Sequence, residues 1–96
     1  MSQSIVIRYR TKPECAEENR RLIREVFAEL AELKPDNFKY TAICLDDGVS
    51  FVHVGQHPAD SNPLLELASF QRFVSTVADR CEENPVAQTG SIVGQY

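Results

Sequence analysis

The chain has 96 residues, of which 43% are hydrophobic and 25% are charged, and its formal net charge is −4. This composition is ordinary for a soluble globular protein and excludes an intrinsically disordered chain. The length fits one core, so we expect a single domain over residues 1–96. No apolar run approaches the roughly 20 residues of a membrane span, and the N-terminal segment lacks the order of a signal peptide. We therefore expect a cytoplasmic protein with no membrane partner.

Charge and cysteine spacing exclude two further classes of site. Through Tyr40, eight Lys or Arg residues oppose seven Asp or Glu residues, whereas only Arg72 and Arg80 oppose seven acidic residues afterwards. A phosphate backbone needs a basic surface, so we expect no nucleic-acid partner. The cysteines are widely separated without CxxC spacing, and we interpret them as reduced apolar residues rather than reactive or metal-binding ones. They are Cys15, Cys44 and Cys81.

The first half of the chain predicts a strand, a helix and a hairpin. Residues 4–10 (SIVIRYR) alternate as a strand does. Thr11 is a predicted N-cap, with Pro13 in the first turn of a helix whose apolar residues recur three or four apart. Two strands follow, at 38–45 and 49–56, and the turn formers Asp46-Asp47-Gly48 between them predict a β-hairpin.

The second half predicts a helix and a last strand. Residues 57–63 are turn formers, and Asn62 is a predicted N-cap with proline directly after it. The helix is expected from Pro63 to about Glu83, ending before Asn84-Pro85, and residues 86–94 form the last strand. The order βαββαβ predicts a ferredoxin-like α+β fold: a four-stranded antiparallel sheet of order 4-1-3-2 with both helices on one face. The other face is uncovered, which favours a second subunit in so small a domain.

Motifs for cofactor chemistry are absent from the sequence. There is no glycine-rich phosphate loop, HExxH, zinc-type cysteine pairing or GxSxG, so we expect no cofactor and no metal. His53 and His57 lie four residues apart, on the order of 13 Å along a strand, which is too far to share a metal. An RNA-recognition sheet shares the topology, but Asp47 stands where that signature requires a basic residue.

Five residues are candidates for a site. His53 lies inside a strand and is either a hydrogen-bonded core histidine or a group displayed in a cavity. Asn19 lies on the apolar stripe of the first helix, where its amide either ties the helix to a neighbour or points into a pocket. Tyr9 and Tyr40 supply polar tips beside such a pocket, or are packing residues with hydroxyls in solvent. Arg8, like Arg10, lies on the strand face away from Tyr9. It either binds an anion, pairs with acidic residues across a dimer interface, or is a solvated surface charge.

Four segments carry a family resemblance. They are SIVIRYRTKPE, NRRLIREVFAEL, FKYTAICLDDGVSFVHV and NPLLELASFQRFVSTVADRC. With them the chain resembles the dimeric α+β barrel superfamily, and within it the small proteins similar to antibiotic biosynthesis monooxygenases. The resemblance implies a homodimer whose two sheets face each other, with a ligand cavity between each sheet and its helices.

The resemblance implies several chemistries. Characterised relatives include monooxygenases that oxidise polycyclic aromatic substrates with molecular oxygen and neither metal nor flavin, haem-degrading enzymes, and isomerases. The monooxygenases use a pocket Asn and Trp. Asn19 is the candidate amide, whereas this chain contains no tryptophan, and His53 lies in a strand and cannot complete the haem-degrading set.

Two functions follow as hypotheses. The first is a monooxygenase-like homodimer that binds a small, partly apolar organic molecule, with His53 as acid/base and Asn19, Tyr40, Tyr9 and Arg8 as substrate-binding residues. The second is a non-catalytic ligand-binding or stress-associated homodimer in which these groups are structural. A cavity reached by His53 and Asn19 favours the first, and a filled core favours the second.

Overall fold

The computed structural model describes residues 2–58 and 60–96 and has the predicted element order. Met1, in the N-terminal segment, and Ala59, in the predicted 57–63 loop, lie outside the described residues. The strands are β1 (Ser2–Thr11), β2 (Lys39–Cys44), β3 (Ser50–Pro58) and β4 (Cys81–Gly90); the helices are α1 (Ala16–Leu33) and α2 (Ala68–Arg80). Short 3-10 helices at Pro13–Cys15 and Pro63–Glu66 precede α1 and α2. None of the described helices is long and apolar enough to cross a membrane.

The sheet has the predicted topology. Its order is β2-β3-β1-β4, and every neighbouring pair is antiparallel. In the register, His53 of β3 lies between Ile7 of β1 and Ala42 of β2. A central strand position of this kind brings one side chain within reach of two neighbouring strands. The ferredoxin-like α+β prediction is confirmed.

Both helices pack on one face of this sheet. Residues of one parity on each strand point to that face, because side chains alternate along a strand. The core joins sheet residues to both helices and to the 3-10 helix before α2. Its buried members are Tyr9, Leu22, Val26, Phe51, Leu64, Leu67, Phe73 and Cys81.

The opposite face, which we call the open face, is uncovered in the monomer. The register aligns Val6 with Val54, and Arg8 with Val52, in neighbouring positions on this face. Several of its apolar side chains are exposed, and they are Ile43 (45%), Leu45 (47%), Val54 (39%) and Val86 (55%). Exposed apolar residues gathered on one surface are typical of an interaction site.

Several predicted helix boundaries are wrong. Thr11 does not cap a helix: it lies at the end of β1, fully buried, and both its amide and its hydroxyl donate to the carbonyl of Val49. The second helix ends at Arg80 rather than Glu83, because Cys81 pairs with Thr11 and the Lys12 amide donates to the Arg80 carbonyl. Pairing with β1 therefore overrides the helical pattern.

The last strand accordingly begins five residues earlier than predicted and ends at Gly90. Pro85 lies within β4 rather than before it. Arg8 pairs with Val86 and Arg10 with Glu83, so one strand carries an extra residue at this bulge. An edge strand tolerates proline at a bulge, where a missing N–H breaks no ladder bond. Asn62 does cap a helix, since its side chain accepts from the Leu64 amide, but this is the 3-10 helix Pro63–Glu66, and α2 begins at Ala68 rather than at the predicted Pro63.

Candidate functional site

A buried chain of hydrogen bonds joins four of the five candidate residues. Asn19 Nδ2 of α1 donates to the Tyr9 hydroxyl at 2.9 Å. That hydroxyl lies 2.8 Å from His53 Nε2, and the Tyr40 hydroxyl lies 2.5 Å from His53 Nδ1. Adjacent strands present these rings on the helix-covered face, and Asn19 meets them because it continues the α1 stripe of Leu22 and Val26. We call Asn19, Tyr9, His53 and Tyr40 the polar chain.

Arg80, at the end of α2, extends this chain and was not among the predicted site residues. It is 5% exposed, and its Nε donates to Asn19 Oδ1 at 3.0 Å. Its other donors reach the Thr76 hydroxyl and the Phe73 carbonyl, and its guanidinium lies 5.0 Å from the Phe73 ring centre. Among the residues that the structure describes, no carboxylate forms an ion pair with it. The neutral acceptors and the ring therefore stabilise this cation.

Sequence reasoning could have found Arg80 from one signal. Phe73, Val77 and Arg80 are spaced by four and three residues, so Arg80 lies on the buried stripe of α2. A charged residue on such a stripe must find buried partners. The identity of its partner, Asn19, could not be predicted, because 61 residues separate them.

Burial sets the protonation of the polar chain. His53 is 3% exposed, and desolvation lowers its pKa from 6.5 to about 4, so the imidazole is neutral at pH 7. Burial also raises the pKa of Tyr9 and of Tyr40 well above its usual range, and both phenols stay protonated. In the described residues, no buried side-chain nitrogen or oxygen lacks a partner. Neither tyrosine hydroxyl is the solvent-exposed tip that one interpretation allowed.

A cleft opens beside one end of the polar chain. It has a volume of about 380 Å³ and lies between the second half of α1 and the start of β2. Tyr40 lines it and stacks on two other rings, with its ring centre 5.3 Å from that of Phe27 and 6.0 Å from that of Phe38. Leu30, Ala31, Lys34 and Pro35 complete the lining. A flat, mostly apolar wall that includes the Tyr40 side chain suits a small planar molecule.

His53 and Asn19 lie behind Tyr40 rather than in the cleft. Both ring nitrogens of His53 are occupied by tyrosine hydroxyls, and Asn19 is fully buried between Tyr9 and Arg80. The interpretation of a hydrogen-bonded core histidine therefore matches its contacts. Tyr40 is the member of the polar chain that also lines the cleft.

Arg8 lies apart from the other candidates, on the open face. Its guanidinium is 3.4 Å from Gln88 Oε1 of β4. It lines an open depression of about 370 Å³ beside the bulge, together with Glu83, Leu45 and Val86. Tyr9 also lines this depression, but the hydrogen bond of Arg8 in the described residues goes to Gln88, so the structure does not bring Arg8 into the polar chain.

The remaining histidine and the cysteines do not assemble a metal site in the described residues. No group of three or more His, Cys, Asp or Glu side chains could hold a metal there. His57 Nδ1 lies 2.7 Å from the Pro58 carbonyl and 2.8 Å from that of Ser61. The three cysteines carry free thiols, of which only Cys81 is buried.

Solved structures share this fold. The chain superposes on Rv0793 from Mycobacterium tuberculosis with a TM-score of 0.78 at 11% identity, covering 99% of this chain and 98% of that one. An antibiotic biosynthesis monooxygenase gives 0.77 at 17% identity, with 96% and 99% covered. A mutant of SnoaB, a cofactor-independent oxygenase from Streptomyces nogalater, gives 0.72 at 13% identity, with 98% and 95% covered.

Sequence comparison adds nothing to this likeness. No family model matches the chain, and no curated protein matches it. Because the structural likeness comes at 11–17% identity over almost the whole of both chains, it concerns the fold rather than the chemistry. The chain therefore has the fold of the antibiotic biosynthesis monooxygenase-like proteins, as the resemblance of its four segments implied.

Proposed function

We propose that the protein binds a small, planar, partly apolar molecule in the cleft beside Tyr40 and oxidises it with molecular oxygen, using no cofactor. One observation carries the proposal: the Tyr40 hydroxyl belongs to a residue of the cleft wall and is 2.5 Å from His53 Nδ1. A buried polar chain that ends at an apolar cleft can orient a substrate oxygen and stabilise negative charge on it. The chain also has the fold of SnoaB, a cofactor-independent oxygenase, and the proposal extends that kind of reaction to the cleft of this chain.

The chain's residues have distinct parts in this proposal. The rings of Phe27 and Phe38 hold the planar substrate, and Tyr40 contacts its oxygen atom. His53 acts through Tyr40 and is a positioning residue, since its own nitrogens do not reach the cleft. An activated methylene group conjugated with the substrate carbonyl loses a proton to water and becomes an enolate, whose oxygen accepts a hydrogen bond from Tyr40. Dioxygen then supplies one oxygen atom to that carbon, forming a ketone, and the second leaves with both hydrogens as water.

A specific observation favours the alternative of a non-catalytic ligand-binding protein. Each side-chain nitrogen and oxygen of Asn19, Tyr9 and His53 already has a hydrogen-bond partner within the core, as in structural groups. In that case the cleft binds the ligand while no oxygen is consumed. Binding and oxygen uptake must therefore be measured separately.

Anthrone is a suitable probe because it is flat and apolar, with one carbonyl and an acidic methylene group. We expect oxygen uptake with formation of one anthraquinone and one water per dioxygen, and a loss of kcat of at least about tenfold in Tyr40→Phe. Tyr96→Phe removes the same hydroxyl from an exposed tail residue and is the matched control. Binding without oxygen uptake above the buffer rate would support the non-catalytic alternative, and absence of binding would refute both.

His53→Gln tests the positioning role with a readout that loss of packing would not move. Since the imidazole acts through Tyr40, kcat should fall while KM for anthrone changes little. The pH profile of kcat/KM should also lose any inflection near pH 4, where wild-type His53 takes up its proton. An unchanged kcat and pH profile would leave His53 without a part in the chemistry.

We also propose that the open face mediates a homodimer. It carries a row of exposed or half-exposed apolar side chains on three strands, which water covers poorly in so small a domain. Arg8 and Glu83, on either side of the bulge depression, are placed to pair with opposite charges of a second copy. Light scattering at micromolar concentration should give about twice the 10.8 kDa chain mass. A strict monomer would refute the dimer. The cytoplasmic location stays a prediction.

A further inference from the structure

We propose that Arg80 fixes the direction of every hydrogen bond in the polar chain, so that Tyr40 keeps a free hydrogen for the cleft. The ligand should then carry an acceptor oxygen, such as a carbonyl or a phenolate. The direction of the hydrogen bonds is a property of the protein alone and does not depend on a ligand. The ligand class rests on the proposed function, because it assumes that the cleft is the binding site.

The first link is set by a residue that can only donate. A guanidinium has N–H donors and no acceptor, so the atom that faces Arg80 Nε at 3.0 Å must be the oxygen of the Asn19 amide. The amide nitrogen of Asn19 consequently points to the Tyr9 hydroxyl at 2.9 Å and donates to it. The amide cannot be turned around without placing two donors against each other.

The second link follows from burial. The Tyr9 oxygen accepts from Asn19, so its own hydrogen needs another acceptor, and Tyr9 is only 5% exposed. His53 Nε2, at 2.8 Å, is the atom in reach. If Nε2 carried a hydrogen instead, the Tyr9 hydrogen would be buried without an acceptor, at a cost of about 1–3 kcal/mol. Tyr9 therefore donates to Nε2.

The third link completes the direction. A neutral imidazole carries one hydrogen, and with Nε2 as acceptor that hydrogen is on Nδ1. Nδ1 then donates to the Tyr40 oxygen. Within residues 2–58 and 60–96, His53 is the only polar group in hydrogen-bond contact with the Tyr40 hydroxyl, so its hydrogen has no protein acceptor. Tyr40 lines the cleft, where a ligand oxygen can accept that hydrogen.

The direction is measurable without any ligand. Nitrogen-15 NMR distinguishes a protonated imidazole nitrogen from an unprotonated one. We expect the hydrogen of His53 on Nδ1 at pH 7, and a hydrogen on Nε2 would overturn the proposal. The only other histidine, His57, is an internal reference, since its Nδ1 faces two carbonyl oxygens and must also be protonated.

Asn19→Asp should reverse the chain. The carboxylate is the same size, pairs with Arg80, and presents only acceptors, so Tyr9 must donate to it. The Tyr9 oxygen then accepts from His53 Nε2, and Nδ1 accepts from Tyr40. The expected result is a shift of the His53 hydrogen to Nε2 with the His57 signals unchanged. A folded Asn19→Asp protein that keeps the hydrogen on Nδ1 would overturn the proposal; should the variant not fold, the wild-type measurement decides.

The ligand class is tested with two probes that differ by one acceptor oxygen. 1-Indanone has a carbonyl where indane has a methylene group. Wild type should bind 1-indanone about five- to tenfold more tightly than indane, as one hydrogen bond provides. Asn19→Asp should lose that preference, because its Tyr40 hydrogen is already donated to His53.

The outcomes separate the two proposals. Equal binding of both probes to wild type would overturn the acceptor requirement while the cleft site stands. No binding of either probe, or of anthrone, together with the Nδ1 form of His53 would refute the proposed function and its ligand class but confirm the direction of the chain. Binding of 1-indanone by wild type with the Nε2 form would support the cleft and refute the direction.

Discussion

The two faces of the sheet reverse the usual distribution of polar and apolar groups. Between the covered face and the helices lie a histidine, two tyrosines, an asparagine and an arginine among apolar residues, and all of them except Tyr40 are buried. The open face presents valine, isoleucine and leucine side chains to solvent. A buried polar group is tolerated only when each hydrogen bond is made, and an exposed apolar row is tolerated best when something covers it.

Mutations should act differently on the two faces. On the covered face the stabilising contacts are directional hydrogen bonds, so removing one atom leaves its partners unsatisfied. On the open face the contacts depend on area, so one substitution should alter assembly more than the fold. Substitutions on the covered face should therefore change the free energy of unfolding, and substitutions on the open face should change the oligomeric state.

Acid should act most strongly, through His53. The unfolded state takes up a proton near pH 6.5, whereas the folded state does so only near pH 4. Since the unfolded state binds more protons within this window, stability falls as the pH falls from 6.5 to 4, by about 3 kcal/mol for this group. Urea unfolding at several pH values should show this slope in wild type and a shallower one in His53→Gln. Parallel curves would contradict the burial of a neutral imidazole.

Removing one oxygen atom from the covered face should have the next largest effect. Tyr9→Phe leaves Asn19 Nδ2 without its acceptor and His53 Nε2 without its partner in a site closed to water. We expect a loss of about 2 kcal/mol in the free energy of unfolding. Tyr96→Phe, at the exposed end of the chain, is the control and should leave stability unchanged. A Tyr9→Phe protein as stable as that control would show that the chain of hydrogen bonds contributes little.

Adding one methyl group beside Tyr40 should have a smaller effect. A Cβ at Gly55 would lie 3.3 Å from Ile5 Cγ2, so the Ile5 side chain must shift slightly, whereas its 3.5 Å distance to Tyr40 Cδ1 is an ordinary contact. Gly55→Ala should therefore cost about 1 kcal/mol in the free energy of unfolding, measured in urea, and leave the Tyr40 ring in place. Gly90→Ala, also in a strand but with no atom within 4 Å of the added Cβ, controls for the backbone effect of losing glycine. Equal stability of the two variants would contradict the tight packing at Gly55.

The sequence predicted the architecture because local patterns agreed with tertiary pairing. The turn at Asp46-Asp47-Gly48 joins two strands that do pair, and Gly48 has the positive φ of 78° that favours glycine. Asn19 was predicted on the buried stripe of the first helix and is fully buried. Hydrophobic periodicity is sufficient to predict burial in such cases, because an apolar stripe is buried by whichever element packs against it.

Pairing at a distance could not be predicted. Residues 81–83 are compatible with the end of a helix, and only the Thr11 partner makes them a strand. The polar chain joins residues 10, 13 and 44 positions apart, so its members were identified singly and their contacts were not. Arg8 was proposed as a substrate-binding residue although alternation along the strand already predicted it on the face away from Tyr9, and the structure keeps it on that face.

A lysine on the open face should change the fold least and assembly most. Ile43→Lys places a charge in the proposed interface, where it would lose its hydration on dimerisation, while in the monomer it extends into solvent. We expect a monomer by light scattering, an unchanged circular dichroism spectrum, and a midpoint of unfolding that no longer rises with protein concentration as it does in a dimer. Val74→Lys on α2 is the matched control, since Val74 is 47% exposed and Ile43 45%. If both lysine variants stay dimeric, the interface lies elsewhere, and the apolar row of the open face needs another explanation than a second copy of the chain.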